Sequence, residues 1–209
     1  MRAPPHPLLP LLRRLRVVPV VRTSTAALAE RACAWLQEAG FEVVEVTLTI
    51  PGAVPLIRSL AQRPGLVVGA GTVPDARAAE ACLKAGARVL VTPWVDPEVI
   101  AAARAAGAAA MPGALTPTEV RDALAAGADV VKVFPASSAG GPAHVKALAS
   151  VFPGVAFCPT GGVDAASLPA YLAAGAAFVG IGGKLVDEAR LAAGDKPAIL
   201  AAARQALEA

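Results

Sequence analysis

The sequence predicts an α/β fold, a closed (β/α)8 barrel that is preceded by an extra N-terminal helix. Glycines recur at positions 40, 65, 86, 107, 127, 154 and 175, at intervals of 20 to 27 residues. Most of them follow an alanine-rich stretch and precede a short apolar run, as in EAG-FEVVEV and AAG-ADVVKV. These apolar runs are continuous rather than alternating, which is typical of parallel strands that are covered by helices.

Each of these glycines marks a place where a helix ends and a strand begins. Glycine readily adopts the left-handed conformation just past a helix C-terminus. With an earlier apolar run, VVPVV, the seven junctions predict eight strands: 17–22, 41–48, 66–70, 88–92, 108–111, 129–133, 155–159 and 177–181. Capping or first-turn residues indicate where helices start, at Thr23-Ser24, Pro74-Asp75, Asp96-Pro97, Thr116-Pro117 and Asp164.

The two ends of the chain carry helices that the repeat does not account for. The segment from Leu8 to Arg16 is expected to form the extra helix and to close the bottom of the barrel. The last helix, 196–208, is either the eighth of the ring or an appendage. No linker divides the chain, so residues 1–209 are expected to form a single domain.

An open, doubly wound sheet is the alternative fold. Such a sheet usually carries a glycine-rich nucleotide-binding fingerprint after its first strand. The segment GAGTVP at 69–74 lacks the third glycine of that fingerprint, so the closed barrel is favoured.

Charge and hydropathy exclude several classes of function. The net charge of +3 is weak support for anionic small molecules. The one dense basic cluster, at Arg13, Arg14 and Arg16, has no aromatic residues nearby, so nucleic-acid binding is not expected. No apolar stretch of the length of a membrane span occurs, and no membrane association is expected.

Cysteine and histidine usage points to a cytoplasmic protein without a metal site. Cys33, Cys82 and Cys158 are widely spaced and form no C-x-x-C pair, which is typical of reduced thiols in the cytoplasm. The two histidines, His6 and His144, are too few for a typical histidine-rich metal site.

Two ionisable residues interrupt apolar strands, Glu45 in VVEV and Lys132 in VVKV. Burial disfavours the charged form of each group, and the two could offset one another inside one barrel. A neutral lysine amine can attack a ketone and form a Schiff base, while a nearby glutamate transfers protons. A purely structural buried ion pair is the alternative interpretation.

Further candidate site residues follow from their position, because chemistry in such barrels occurs at the C-terminal ends of the strands. The last two strands end in the glycine-rich segments CPTGGVD and GIGGK, which predict a site for a phosphate or another anion. Alternatively, these glycines only permit tight turns. The candidate substrate-binding residues at the strand ends are Arg22, Thr72, Pro93, Phe134, Thr160, Gly161, Gly162, Gly182 and Gly183.

Seven motifs, in order between about residues 17 and 185, resemble those of the class I 2-keto-3-deoxy-6-phosphogluconate (KDPG) aldolases. This family includes 4-hydroxy-2-oxoglutarate (KHG) aldolase activity. The motifs are VVPVVR, AGFEVVEVTL, VGAGTV, MPGALTPTE, VKVFPA, FCPTGG and GIGG. The resemblance implies a (β/α)8 barrel that assembles as a homotrimer and acts on a keto-acid substrate without a metal or another cofactor.

The resemblance also assigns roles to individual residues. It implies that Lys132 forms the Schiff base, that Glu45 is the acid and base, and that Thr160 contacts the pyruvyl part of the substrate. Phe134 would pack near the imine. The glycines that match the family's phosphate-binding loops are Gly161, Gly162, Gly182 and Gly183.

The chain departs from the family pattern at three positions. Some members have an arginine for the substrate carboxylate where this chain has Thr49, and Arg22 is the candidate replacement. Lys184 stands where many members have serine, and it either adds charge for a phosphate or lies in solvent. Trp94 replaces a smaller residue and either narrows the entrance or packs at the trimer interface.

The expected function is therefore cleavage of KDPG to pyruvate and glyceraldehyde 3-phosphate. Cleavage of KHG to pyruvate and glyoxylate, or of the phosphogalactonate epimer of KDPG, is the close alternative. A phosphate-binding barrel isomerase and a non-catalytic ligand-binding barrel are alternatives from other classes, and neither needs the paired lysine and glutamate.

Overall fold

The computed structural model describes residues 5–209, in which parallel strands alternate with helices. The strands are β1 (Val17–Val21), β2 (Val43–Thr47), β3 (Val67–Gly71), β4 (Val89–Val91), β5 (Ala109–Met111), β6 (Gly113–Ala114), β7 (Val131–Val133), β8 (Phe157–Pro159) and β9 (Val179–Ile181). The helices are α1 (Leu9–Leu15), α2 (Ala26–Ala39), α3 (Ala53–Leu60), α4 (Ala76–Lys84), α5 (Pro97–Ala105), α6 (Pro117–Ala126), α7 (Gly141–Val151), α8 (Leu168–Ala173), α9 (Glu188–Ala193) and α10 (Lys196–Glu208). The first four residues of the predicted domain lie outside the described part of the chain.

The strands curl into a barrel, which confirms the predicted fold class. Six strands pair in the order β5-β4-β3-β2-β1-β9, and three pair in the order β6-β7-β8, all of them parallel. Parallel bridges from Phe157 to Ala176 and from Thr160 to Gly180 join β8 to the segment of β9. On the other side, the Val130 N–H donates to the Ala110 carbonyl and connects β7 to β5.

The fifth predicted strand, 108–111, extends further than predicted and is interrupted. Pro112 separates β5 from β6, because proline has no N–H to contribute to the sheet. Its carbonyl still accepts a hydrogen bond of 2.9 Å from the Lys132 N–H. The two short strands therefore act together as one barrel strand beside β7.

Most helix starts lie where the capping residues predict them. The side chains of Asp75, Asp96 and Thr116 accept hydrogen bonds from backbone N–H groups at the starts of α4, α5 and α6. Two predicted starts are wrong by a few residues. The cap of α2 is Thr25 rather than Thr23-Ser24. Asp164 caps a turn that precedes α8 by accepting from the Ser167 N–H.

The two terminal helices close the barrel. On α1, Leu9, Leu12 and Leu15 are buried in one apolar cluster with inward-facing strand residues such as Val43 and Val89, and this closes the bottom as predicted. Helix α10 packs against α2 and α9, and α9 also packs against α2. Within residues 5–209, no helix has the length and apolar character needed to cross a membrane.

Candidate active site

A cavity of about 350 Å³ opens at the C-terminal end of the barrel, where the sequence predicts the site. Ten of the eleven predicted site residues line it, and the eleventh, Glu45, lies directly beneath it. Val20, Val163 and Lys184 complete the wall, and no sequence pattern singles out the two valines because they resemble any core valine. The predicted residues in the wall are Arg22, Thr72, Pro93, Lys132, Phe134, Thr160, Gly161, Gly162, Gly182 and Gly183.

At the floor of the cavity, Lys132 of β7 faces Glu45 of β2 across the barrel. Their side chains are 5% and 3% exposed, and Lys132 Nζ lies 3.8 Å from Glu45 Oε1. This distance is too long for a direct hydrogen bond, and Glu45 Oε1 has no hydrogen-bond partner among the described residues. An unsatisfied buried carboxylate oxygen is costly, so it marks a place where a substrate hydroxyl or a water can bind.

Gly71 at the end of β3 makes room for the Glu45 carboxylate. A Cβ atom built on Gly71 would overlap Oε1, Cδ and Cγ of Glu45. No side chain larger than hydrogen therefore fits while the carboxylate stays in place. The sequence did not predict this contact, because it joins neighbouring strands whose register is visible only in the folded barrel.

An aromatic ring and a thiol are the neighbours of Lys132 at the floor. The Phe134 ring centroid lies 5.2 Å from Lys132 Nζ, within the range of a cation–π contact. Cys158 is the neighbour of Lys132 in the sheet. Burial raises the pKa of the Cys158 thiol to about 12, against smaller opposing effects from the Thr160 hydroxyl and the Lys132 charge. The thiol therefore stays protonated at neutral pH.

One side of the mouth is occupied by Arg22, which follows β1. Its Nη1 donates to Thr49 Oγ1 at 3.0 Å, and its Nη2 donates to Thr72 Oγ1 at 2.9 Å. Thr49, where the family resemblance implies an arginine in some members, thus contacts Arg22, the candidate substitute for that arginine. An arginine held in this way can bind a carboxylate with its remaining N–H groups.

The glycine-rich segments after β8 and β9 form another part of the mouth, and the segment after β9 adjoins Arg22 because β9 pairs with β1. Gly161 and Gly162 have φ angles of +95° and +72°, and a Cβ on Gly162 would overlap the Ser137 side chain. Lys184 is exposed and lines the same end of the cavity. Hydrogen bonds from the hydroxyl and the N–H of Ser167, with a smaller contribution from the Lys184 charge, lower the pKa of Asp164.

Several residues that the sequence analysis considered lie away from the cavity. The rings of His6 and His144 contact the carbonyl oxygens of Gly107 and Leu115. Among residues 5–209, no cluster of three or more His, Cys, Asp or Glu side chains could hold a metal ion. Trp94 is 49% exposed, and it is the adjacent Pro93 that lines the cavity.

Comparison with known proteins identifies a family for this arrangement. Residues 10–202 match the family described as "Aldolase: KDPG and KHG aldolase". The chain is 35% identical over 199 residues to 2-dehydro-3-deoxy-phosphogluconate aldolase of Pseudomonas aeruginosa, covering 95% of this chain and 90% of the relative. It is 38% identical over 151 residues to 2-dehydro-3-deoxy-6-phosphogalactonate aldolase of Escherichia coli, covering 71% and 73% of the two chains.

A solved structure shares the fold. This is KDPG aldolase from Legionella pneumophila, with pyruvate captured at low pH as a covalent carbinolamine intermediate. It superposes with a TM-score of 0.85 at 31% identity, over 94% of this chain and 96% of that one.

Proposed function

The chain belongs to the KDPG and KHG aldolase family, which makes it a lyase of the class I aldolases, and from this membership we propose that it cleaves KDPG. The products would be pyruvate and glyceraldehyde 3-phosphate. The observation that carries the proposal is the buried pair of Lys132 and Glu45, 3.8 Å apart, at the floor of a cavity lined with cationic residues and glycines.

In the proposed reaction, Lys132 is the nucleophile. Its neutral amine attacks the C2 ketone of KDPG to form a carbinolamine, which loses water and becomes a protonated imine. The imine then accepts the electron pair of the C3–C4 bond as that bond breaks. The carbinolamine captured in the Legionella pneumophila relative supports the first of these steps.

Glu45 is the proposed acid and base. It accepts the C4 hydroxyl proton, directly or through a water, as glyceraldehyde 3-phosphate leaves and the remaining fragment becomes an enamine. It then returns a proton to C3, and hydrolysis of the resulting imine releases pyruvate. The Oε1 atom, which lies near Lys132 Nζ and has no hydrogen-bond partner among the described residues, supports this role. Proton transfer requires a carboxylate oxygen that is free to accept a hydrogen bond from the substrate.

Different residues of the mouth would hold the carboxylate and the phosphate of the substrate. Arg22 binds the carboxylate, and Thr72 and Pro93 lie in the same wall. Thr160 contacts the pyruvyl part and Phe134 packs near the imine. Backbone N–H groups of the glycine segments hold the phosphate, which has a cation, Lys184, at the same end of the cavity. The glycines in question are Gly161, Gly162, Gly182 and Gly183.

Two related substrates are the second candidates. The phosphogalactonate epimer of KDPG is supported by the 38% identity to the Escherichia coli enzyme named for that substrate. KHG, which would give pyruvate and glyoxylate, is supported by the family description. The isomerase alternative is not retained, because the family is one of aldolases.

We also propose the organisation of the protein in the cell. Residues 1–209 would form one barrel domain, and three copies would assemble as a homotrimer in the cytoplasm. The family match over residues 10–202 and the three free, buried cysteines support this organisation. The proposed chemistry needs an amine and a carboxylate and invokes no added cofactor.

The substrate assignment is tested by comparing kcat/KM for KDPG, its galactonate epimer and KHG by pyruvate release. We expect KDPG to exceed KHG by about 100-fold, because binding energy from the remote phosphate lowers the barrier to cleavage. A Lys184→Ser variant should lower kcat/KM for KDPG more than for KHG, whereas Lys146→Met, a surface control on α7, should change neither. Equal kcat/KM for KDPG and KHG would refute the phosphate assignment.

A further inference from the structure

The side chain of Arg22 is held in place before any substrate is bound. It is exposed at the cavity mouth and has several rotatable bonds, so an unrestrained guanidinium would occupy many positions. Instead, Nη1 and Nη2 each donate to a different threonine hydroxyl, at 3.0 Å and 2.9 Å. Orienting the Arg22 side chain costs conformational entropy. Because the threonines already orient it in the free protein, substrate binding does not incur this cost, and the substrate binds more tightly.

The two hydroxyls belong to residues that follow neighbouring strands, β2 and β3. Thr49 Oγ1 lies 2.9 Å from Thr47 Oγ1, and Thr47 is fully buried at the end of β2, two residues after Glu45. Thr72 follows β3 with a left-handed backbone at φ +55°. The strand that carries Glu45 thereby also supports the contact to Arg22.

The partners of Arg22 are neutral, which leaves its charge for a ligand. None of the ion pairs within residues 5–209 includes Arg22. A guanidinium has five N–H donors, and the two threonine hydroxyls use one each of them. The others remain free to donate to an incoming anion.

Thr49 itself does not line the cavity, although Arg22 and Thr72 do. Any effect of the Thr49 hydroxyl on the ligand therefore passes through Arg22. We infer that Thr49 is a positioning residue, which orients the Arg22 guanidinium toward the carboxylate of the keto acid. This inference rests on the proposed function, in which Arg22 binds that carboxylate.

The test measures how strongly the enzyme prefers a charged keto compound to a neutral one. Borohydride inactivation is followed against the concentration of pyruvate, and separately of pyruvamide, which has an uncharged amide in place of the carboxylate. For Thr49→Val, we expect the half-saturating pyruvate concentration to rise about three- to tenfold, with little change for pyruvamide. Thr49→Ser keeps the hydroxyl and should restore the preference for pyruvate.

A further variant controls for a general loss of stability. Thr116→Val removes the capping hydroxyl of α6, outside the cavity wall, and reports what a general loss of stability does to the assay. It should affect pyruvate and pyruvamide equally. Because Thr49 is exposed, the valine variant is expected to fold, and its melting temperature verifies this.

The outcomes distinguish the inference from the function on which it rests. If Arg22→Met loses the preference for pyruvate while Thr49→Val retains it in full, Thr49 is not a positioning residue and the role of Arg22 stands. If Arg22→Met retains the preference, Arg22 does not bind the carboxylate, and the inference is overturned with that assignment. If Arg22→Met and Thr49→Val both have a reduced preference for pyruvate over pyruvamide, and Thr49→Ser restores that preference, the positioning role of Thr49 is supported.

Discussion

At the scale of single residues, the central feature is a buried carboxylate oxygen, Glu45 Oε1, that has no hydrogen-bond partner among the described residues. Glu45 is almost fully buried, and within residues 5–209 the one basic group paired with its Oε1 is Lys132 Nζ, at 3.8 Å. Buried ion pairs of this kind contribute little net stability, because desolvation of both charges cancels most of their attraction. A purely structural role therefore explains the buried pair poorly. The proposed role in proton transfer accounts for the oxygen that has no hydrogen-bond partner.

Replacing Glu45 by glutamine tests this role. The amide keeps the size of the side chain but cannot accept the C4 hydroxyl proton, so we expect kcat for KDPG cleavage to fall by about 10²- to 10⁴-fold. Steady-state kinetics measure the effect. Glu80→Gln, on the exposed face of α4, is the control for a lost ion pair, since Glu80 pairs with Lys84. Retention of kcat within about threefold of the parent would exclude Glu45 as the main acid and base.

At the scale of the elements, the glycine period predicts the strands well. Helix ends need a residue that tolerates positive φ, and all seven repeat glycines adopt φ angles between +66° and +111°. Strand limits are predicted less well, because pairing with neighbours decides where a strand ends. Pro112 interrupts the fifth strand, and Ser24 is drawn to Glu188 rather than capping α2.

The close approach of Gly71 on β3 to the Glu45 carboxylate on β2 predicts the effect of adding a methyl group at Gly71. In Gly71→Ala, the new methyl group would overlap the Glu45 carboxylate, and the carboxylate must move. We expect kcat to fall at least about tenfold, together with about 1–3 kcal/mol of stability from overpacking. Kinetics and denaturant unfolding measure the two effects.

Gly69→Ala is the matched control on the same strand. A Cβ there would lie 3.3 Å from the Val89 Cβ, so it also crowds the barrel but does not reach the Glu45 carboxylate. It should lower stability with a smaller effect on kcat. If both variants lose kcat in proportion to their loss of stability, the special role of Gly71 is excluded.

At the scale of the whole molecule, the barrel is closed at the bottom by α1 and open at the top. The wall of the cavity contains three basic residues, Arg22, Lys132 and Lys184, and no carboxylate among the described residues. Such a cavity attracts anions, because like charges in a confined cleft reinforce one another. This composition is compatible with a substrate that carries anionic groups.

The sequence was sufficient to predict which residues meet at the site, because their positions at strand ends determine this. The barrel places all strand C-termini at one end, so residues from distant motifs meet around one cavity. Contacts that depend on register and side-chain conformation could not be predicted. The examples are the two hydrogen bonds of Arg22 and the space at Gly71 for Glu45.

The most direct test of the account is to trap the imine on Lys132. The protein is treated with pyruvate and borohydride, digested, and analysed by peptide mass spectrometry. We predict loss of activity and a reduced pyruvate adduct on Lys132 that requires pyruvate, and we predict that Lys132→Ala folds but neither turns over nor is labelled. An unmodified Lys132 peptide after full inactivation, or an adduct on Lys184 instead, would contradict the account.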